Sequence, residues 1–272
     1  MKTKRIYSKN STYQKFEVLL SNRNKRFRYG QFIVEGVRNI NEVLRNQWEI
    51  VSFIYPMEAE LSQWAKNVLS TTKTEINYEL ADSLMTDLSG KDDTSELLAI
   101  VKMREDKRFV TELSTNPIIV LFDRPSNKGN LGTLLRSCDA FGVDFMIITG
   151  HSVDIYDPEV IASSTGSLFK VPFIRMNDNI EIDRYIKELK QKFPKLKVVG
   201  TSEESKTAIY DIDMTTPVLL LMGNEKNGLS YHYLEISDEL AAIPMSENSS
   251  ASSFNVSCAA TVLLYEVTRQ RR

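Results

Sequence analysis

The sequence predicts an α/β protein built in two parts, each with its own sheet and helices. Three observations predict this. Short apolar runs of strand length alternate along the chain with segments whose apolar residues recur at helical spacing. In the second part the runs are continuously apolar, as in 118–122 (IIVLF) and Val218–Met222 (VLLLM), the pattern of strands covered on both faces of a parallel sheet. The length of 272 residues, 42% hydrophobic and 26% charged, suits two ordinary globular domains rather than a disordered chain.

In order, 31–34 (QFIV) reads as a strand. Residues 35–46 read as a helix, with Val37, Ile40, Val43 and Leu44 on one side. A strand over 50–55, a helix over 59–69 and a strand over 97–103 (LLAIVKM) complete a small α/β domain over 1–105. Residues 106–116 are polar and charged and read as a linker. The second domain, 117–272, has strands at 118–122, 145–149, 171–175, 197–201, 218–222 and 240–243, with helices at 131–141, 158–163, 180–193 and 256–269 between and after them. This order gives a mostly parallel sheet with helices on both faces. Ligands bind such sheets beyond the carboxyl ends of the strands, so the loops just after strands are the ones to read.

Net charge is −2, but residues 1–30 carry nine Lys or Arg against one acid, Glu17. Within this stretch Arg23, Lys25, Arg26 and Arg28 are interleaved with Phe27 and Tyr29, a mixture suited to RNA phosphates and unstacked bases; a solvated surface arm has the same composition. No apolar run reaches bilayer length, and no apolar segment follows the basic N-terminus, so neither a membrane span nor a secretory signal is expected. The two cysteines, Cys138 and Cys258, make no disulfide framework, and the cytoplasm is the expected compartment. His151 and His232 lack ligand spacing, so no metal is expected.

Three post-strand loops carry chemistry. The first, from Asp123 to Asn130, holds Asn127, Gly129 and Asn130, a potential tight turn whose amides face a ligand, and leads to a helix containing Arg136, which could reach back to the same ligand. A helix cap with a surface arginine is the plainer reading. The second, Gly223-Asn224-Glu225-Lys226-Asn227-Gly228-Leu229, is neither a dinucleotide fingerprint nor a phosphate loop; it is either an anchored carboxylate between glycines or a simple strand-to-helix turn. The third runs from Pro244 to Asn255 into an apolar helix, and Ser253 or Asn255 is a good N-cap or a donor to a ligand.

In this order NKGNLGTLLRSCDAFG, LLLMGNEKNGLS and IPMSENSSASSFNVSCAATVLLYE resemble the three motifs of the SpoU/TrmH family of RNA ribose methyltransferases, part of the SPOUT superfamily. RNKRFRYGQFIVEGVRNINEVL is similar to that family's N-terminal substrate-binding domain, which has a ribosomal-protein fold. The resemblance implies a deep trefoil knot in the C-terminal domain, a homodimer with the active site across the subunit interface, and S-adenosylmethionine as cofactor. It implies catalytic-side roles for Asn130, Arg136, Glu225, Ser253 and Asn255, and cofactor contacts from Thr201, Ser202, Gly223, Asn224, Ile243 and Phe254. The third motif departs from the family: Ser246 and Glu247 stand where a glycine is usual, the loop from Pro244 to Ser253 is two residues longer, and Phe254 replaces leucine.

Methyl transfer to an alcohol is an in-line displacement that mainly needs the hydroxyl held in place. The resemblance puts Arg136 at the centre; since arginine does not deprotonate in proteins, binding phosphate and stabilising developing alkoxide charge suit it better than acting as a base. The expected substrate is a ribose 2′-hydroxyl in 23S ribosomal RNA. The alternatives are a transfer RNA 2′-O-methyltransferase, a non-catalytic RNA-binding protein that kept the fold, and a small-molecule α/β enzyme, which leaves the basic arm unexplained.

Overall fold

The computed structural model describes residues 2–89, 95–106 and 113–272. Most of the predicted linker, 107–112, lies outside the described residues. In chain order the elements are β1 (Thr3–Ile6), α1 (Ser11–Ser21), α2 (Arg23–Tyr29), β2 (Gln31–Glu35), α3 (Val37–Arg45), β3 (Ile50–Pro56), α4 (Gln63–Thr71), β4 (Asn77–Leu80), α5 (Asp82–Ser89) and β5 (Leu98–Lys102). They continue with β6 (Ile118–Asp123), α6 (Lys128–Ala140), β7 (Phe145–Thr149), α7 (Pro158–Ser164), β8 (Phe173–Met176), α8 (Asn179–Lys192), β9 (Lys197–Thr201), β10 (Val218–Met222), α9 (Tyr231–Glu235), β11 (Glu239–Ala241) and α10 (Val256–Gln270). Among the described residues, no helix is long and apolar enough to cross a membrane.

The chain divides into two compact units: residues up to Glu105 together with Asp154–Phe169, and Asp106–Val153 together with Lys170–Arg272. The first unit has a mixed sheet in the order β1-β4-β3-β5-β2. The basic N-terminal stretch, read from composition as an arm or an RNA contact, folds into β1, α1 and α2. Asn10 caps α1 by accepting from the amides of Thr12 and Tyr13, and Asn22 caps α2 by accepting from Lys25. Helix α1 buries Tyr13, Phe16 and Leu19 in a core with Ile6, Ile33, Ile54 and Leu80. Gly30, at φ 62°, ends α2 in the left-handed conformation.

The segment 154–169 differs from the sequence expectation, which kept it in the second domain. Phe32 of β2 packs on Tyr156 at 4.6 Å between ring centroids, and Trp48 donates Nε1–H to the Phe169 carbonyl at 2.9 Å. Arg26 donates to Asp154 at 2.7 Å and to Asp157 at 3.3 Å. Helix α7 also packs on β2, a pairing between residues far apart in the chain that local periodicity cannot register.

The second unit has a six-stranded sheet in the order β11-β9-β10-β6-β7-β8, parallel throughout. The central strands β6, β7 and β10 are buried along their length, as their uninterrupted apolar runs require. Tyr185 and Leu189 of α8 pack in one core with Ile119, Leu121, Phe145 and Leu219. Helices α6 and α10 pack on each other, and the Ser137 and Thr261 hydroxyls meet at 2.7 Å. The strand order sets the carboxyl ends of β11, β9, β10 and β6 side by side, and the three loops leave from that edge.

Candidate active site

The loop after β10 is a closed hairpin. Asn224 and Gly228 exchange two backbone hydrogen bonds of 2.9 Å. The Asn224 side-chain oxygen accepts from Lys226 and Asn227 amides, and its nitrogen donates to the Arg124 carbonyl at 2.6 Å. Asn224, expected to touch the cofactor, thus spends its side chain on shaping the loop. Gly223 is required for the same closure, since a Cβ there would stand 2.4 Å from the Gly228 carbonyl carbon and the Leu229 nitrogen.

The hairpin presents Glu225 to the first loop. Its Oε2 accepts from the Ser126 amide (2.9 Å) and hydroxyl (2.6 Å), and its Oε1 accepts from the Asn127 amide (3.0 Å) and Asn130 Nδ2 (3.4 Å). Burial pushes the Glu225 carboxyl up, but the bonds from Ser126 and Asn127 outweigh it and hold the group below the usual carboxylate range. The sequence reading placed a tight turn over 127–130. Instead α6 begins at Lys128, capped by Asn127 Oδ1 accepting from the Asn130 amide at 2.9 Å. The partial positive charge at the start of α6 faces Glu225, so the anion it holds is internal.

Asn130 links this pair to the third loop. Its Oδ1 accepts from Asn255 Nδ2 at 3.0 Å, while Asn255 Oδ1 caps α10 by accepting from the Ser257 amide at 3.0 Å and hydroxyl at 2.6 Å. Glu225, Asn130 and Asn255 form one chain of hydrogen bonds tying three loops to the starts of two helices.

These loops enclose a cavity of about 600 Å³ beyond the carboxyl ends of β9, β10 and β11, a size ordinary for a cofactor site. Asn130, Thr201, Ser202, Gly223, Asn224, Glu225, Ile243, Ser253, Phe254 and Asn255 all line it. Thr201 donates to the Leu221 carbonyl at 2.9 Å, and the Ser202 amide donates to the Ala241 carbonyl at 3.0 Å. Ser253 is exposed, as is Phe254 at 44%. Apolar Met222, Leu234, Ile243 and Leu263 line it together with Glu203 and Glu204. A flat purine, an amino-acid end and a sulfonium cation fit that mixture of surfaces.

Arg136 does not line the cavity. It is exposed on α6. Six residues beyond Asn130 is about 240° around the helix axis, away from the side that meets Glu225. Arg26, expected to touch RNA, is corrected. It is 1% exposed, bonded to Asp154, Asp157 and the carbonyls of Leu19 and Leu20, so it is a core ion pair of the first unit. Arg23 and Arg28 are exposed on α2 and Lys25 is partly so. The Arg23 guanidinium lies 5.6 Å from the Phe27 ring centre, and Lys15 lies 5.0 Å from that of Tyr29. Sequence reasoning missed Asp123, Arg124 and Ser126, whose one visible signal was a charged residue closing an apolar strand. Among the described residues, no group of three or more His, Cys, Asp or Glu is placed to hold a metal ion.

Comparison with known proteins agrees with this geometry. Residues 117–265 match the SpoU rRNA Methylase family, and residues 10–99 match the SpoU L30e-like domain. The 23S rRNA (uridine(2479)-2′-O)-methyltransferase of Streptomyces viridochromogenes is 39% identical over 98% of this chain and 93% of its own. The 23S rRNA (guanosine(2553)-2′-O)-methyltransferase RlmP of Bacillus subtilis is 26% identical over 91% of this chain and 92% of its own. The crystal structure of the SpoU methyltransferase AviRb from Streptomyces viridochromogenes with AdoMet superposes with a TM-score of 0.90 at 39% identity, covering 96% of this chain and 98% of that one. The chain belongs to the SpoU rRNA methylase family.

Proposed function

We propose that this chain is an S-adenosylmethionine-dependent methyltransferase acting on a ribose 2′-hydroxyl of 23S ribosomal RNA, working as a homodimer in the cytoplasm. The observation that carries the reading is the cavity closed by three loops at adjacent strand ends, joined by the Glu225–Asn130–Asn255 hydrogen bonds. Two curated relatives that span nearly the whole chain are 23S rRNA 2′-O-methyltransferases, and AviRb was solved with AdoMet. The knot implied by the resemblance belongs to the same reading.

The residues to hold the cofactor are Thr201, Ser202, Gly223, Ile243 and Phe254, largely through main-chain groups. When bound, S-adenosylmethionine supplies an electrophilic methyl group. Glu225 stays ionised and anchors the loops, since its oxygens are already filled by donors. Asn130 and Asn255 set the ribose side of the site. Ser253 and Asn255 are exposed at the mouth, where water would take the hydroxyl proton as the O–C bond forms and the methyl–sulfur bond breaks, leaving a neutral thioether. Arg136, permanently charged, stabilises the developing alkoxide and the neighbouring phosphate. Because Arg136 lies off its own cavity, it acts from a second copy. The exposed stripe of Cys258, Val262 (41%) and Tyr265 (56%) along α10 supports a dimer contact there. Arg23, Lys25 and Arg28, with Phe27 and Tyr29, make the RNA-facing side of the first unit.

The test is methyl transfer from labelled cofactor to 23S rRNA, followed by mapping of 2′-O-methylated nucleotides. One labelled ribose is expected. Label on a base, or no cofactor binding by calorimetry, overturns the reading. Arg136→Ala is expected to abolish transfer while cofactor affinity stays within about threefold.

A further inference from the structure

Arg124 is a basic side chain that neither the cavity nor the proposed chemistry uses. Its φ is +49°, the left-handed region that side chains rarely adopt. Along an extended strand, neighbouring side chains point to opposite faces. The left-handed kink instead turns Arg124 back on its neighbour, so that Nε and Nη2 donate to the two oxygens of Asp123 at 2.9 and 2.8 Å. Asp123 is 1% exposed, and it also accepts from the Thr149 hydroxyl at 3.2 Å and the Ser230 amide at 2.9 Å. Ser230 closes the second loop. The start of that loop is held too, by Asn224 donating to the Arg124 carbonyl at 2.6 Å. Arg124 Nη2 donates to the Gly228 carbonyl at 3.4 Å. Gly150, at φ +62°, leaves room for this fold-back, since a Cβ there would lie 2.6 Å from Arg124 Cγ.

We infer that Arg124 is a positioning residue for methyl transfer: with Asp123 it fastens the base of the first loop to both ends of the second, as Glu225 fastens their tips, and so holds Asn130 at the cavity. The inference rests on the methyltransferase reading above. Charge alone does not suffice, because only a planar guanidinium spans both carboxylate oxygens in a fixed plane.

Arg124→Gly removes the fork while keeping a residue that tolerates the left-handed backbone. Cofactor affinity by calorimetry is expected within about threefold of the parent, with kcat down about 10- to 100-fold and KM for RNA little changed. Arg124→Lys is expected to stay below about a tenth of the parent kcat. Independently of activity, hydrogen exchange at the amides of 224–230 is expected to accelerate about tenfold or more, well below the unfolding temperature. A kcat within about twofold of the parent, full rescue by lysine, a kcat loss that vanishes on cooling, or unchanged exchange would each overturn the inference. If the parent itself transfers no methyl group, the methyltransferase reading fails and exchange alone decides whether the staple exists. Should Arg124→Gly not fold, Asp123→Asn/Arg124→Gly removes the carboxylate it orphans and is read in the same way.

Discussion

A carboxylate that accepts four hydrogen bonds has no lone pair left for a proton in transit, and Glu225 is in this state. Its role follows from its donors rather than from its place in a motif. Glu225→Gln turns one acceptor into an NH₂ group facing amide donors. It is expected to cost about 1–3 kcal/mol of stability and to lower kcat more than cofactor affinity, as urea unfolding and calorimetry would read. The folded carboxyl is held below its usual range, so its stabilisation is complete above the unfolded value of about 4.3 and is lost as pH falls through the lower folded value. The gap between the parent and Gln unfolding midpoints is therefore expected to be constant near neutrality and to narrow in acid. A gap independent of pH would mean that the carboxylate charge is not what the loop requires. The motif residues were legible in the sequence, but this network was not. Two of the four donors are backbone amides, which carry no residue identity.

At the scale of elements, the strands and helices of the second unit were largely legible because each is a long apolar run or a clear amphipathic segment. Strands β7, β9 and β10 fall where periodicity placed them. The N-terminal helices were obscured by charge. The basic residues of α1 and α2 dominated the composition, although Asn10 and Asn22 are ordinary N-caps and Tyr13, Phe16 and Leu19 mark a buried face. The error had a consequence for Arg26, one of four basic residues, Arg23, Lys25, Arg26 and Arg28, that look alike in the sequence until one of them turns inward. Arg26→Ala leaves Asp154, whose side chain is 3% exposed, without its cationic partner, and is expected to destabilise the protein by about 3–5 kcal/mol. Arg23→Ala, Lys25→Ala and Arg28→Ala are expected to leave the unfolding midpoint nearly unchanged. Each should weaken RNA binding across sequences and shallow the salt dependence by about one unit. Denaturant unfolding set beside RNA binding at several salt concentrations separates the two classes. An Arg26 variant with normal stability and weakened RNA binding would reverse the assignment.

At the scale of the whole molecule, a site can be divided between copies in a way that no single chain displays. One copy closes the cavity with Asn130, Glu225 and Asn255 on its wall, and leaves Arg136 exposed elsewhere on α6. Sequence spacing put Arg136 on the second turn after the first loop, and the resemblance implied a site shared across a subunit interface. The proposed supply of the cavity and the arginine by different subunits makes a prediction that a single-chain site cannot. Arg136→Ala and Asn255→Ala are each expected to be inactive as pure proteins. In a mixed dimer, the cavity of the Arg136→Ala copy meets an intact Arg136 from the other, so one of its two sites is restored. Random pairing after co-expression makes half the dimers mixed, and about a quarter of parental activity per site is expected to return. If Arg136 serves its own cavity, every site in the mixture carries at least one defect and no activity returns. Tagging the two variants differently and purifying the mixed dimer sharpens the measurement, since activity there should rise to about half of the parental value while each pure variant stays silent.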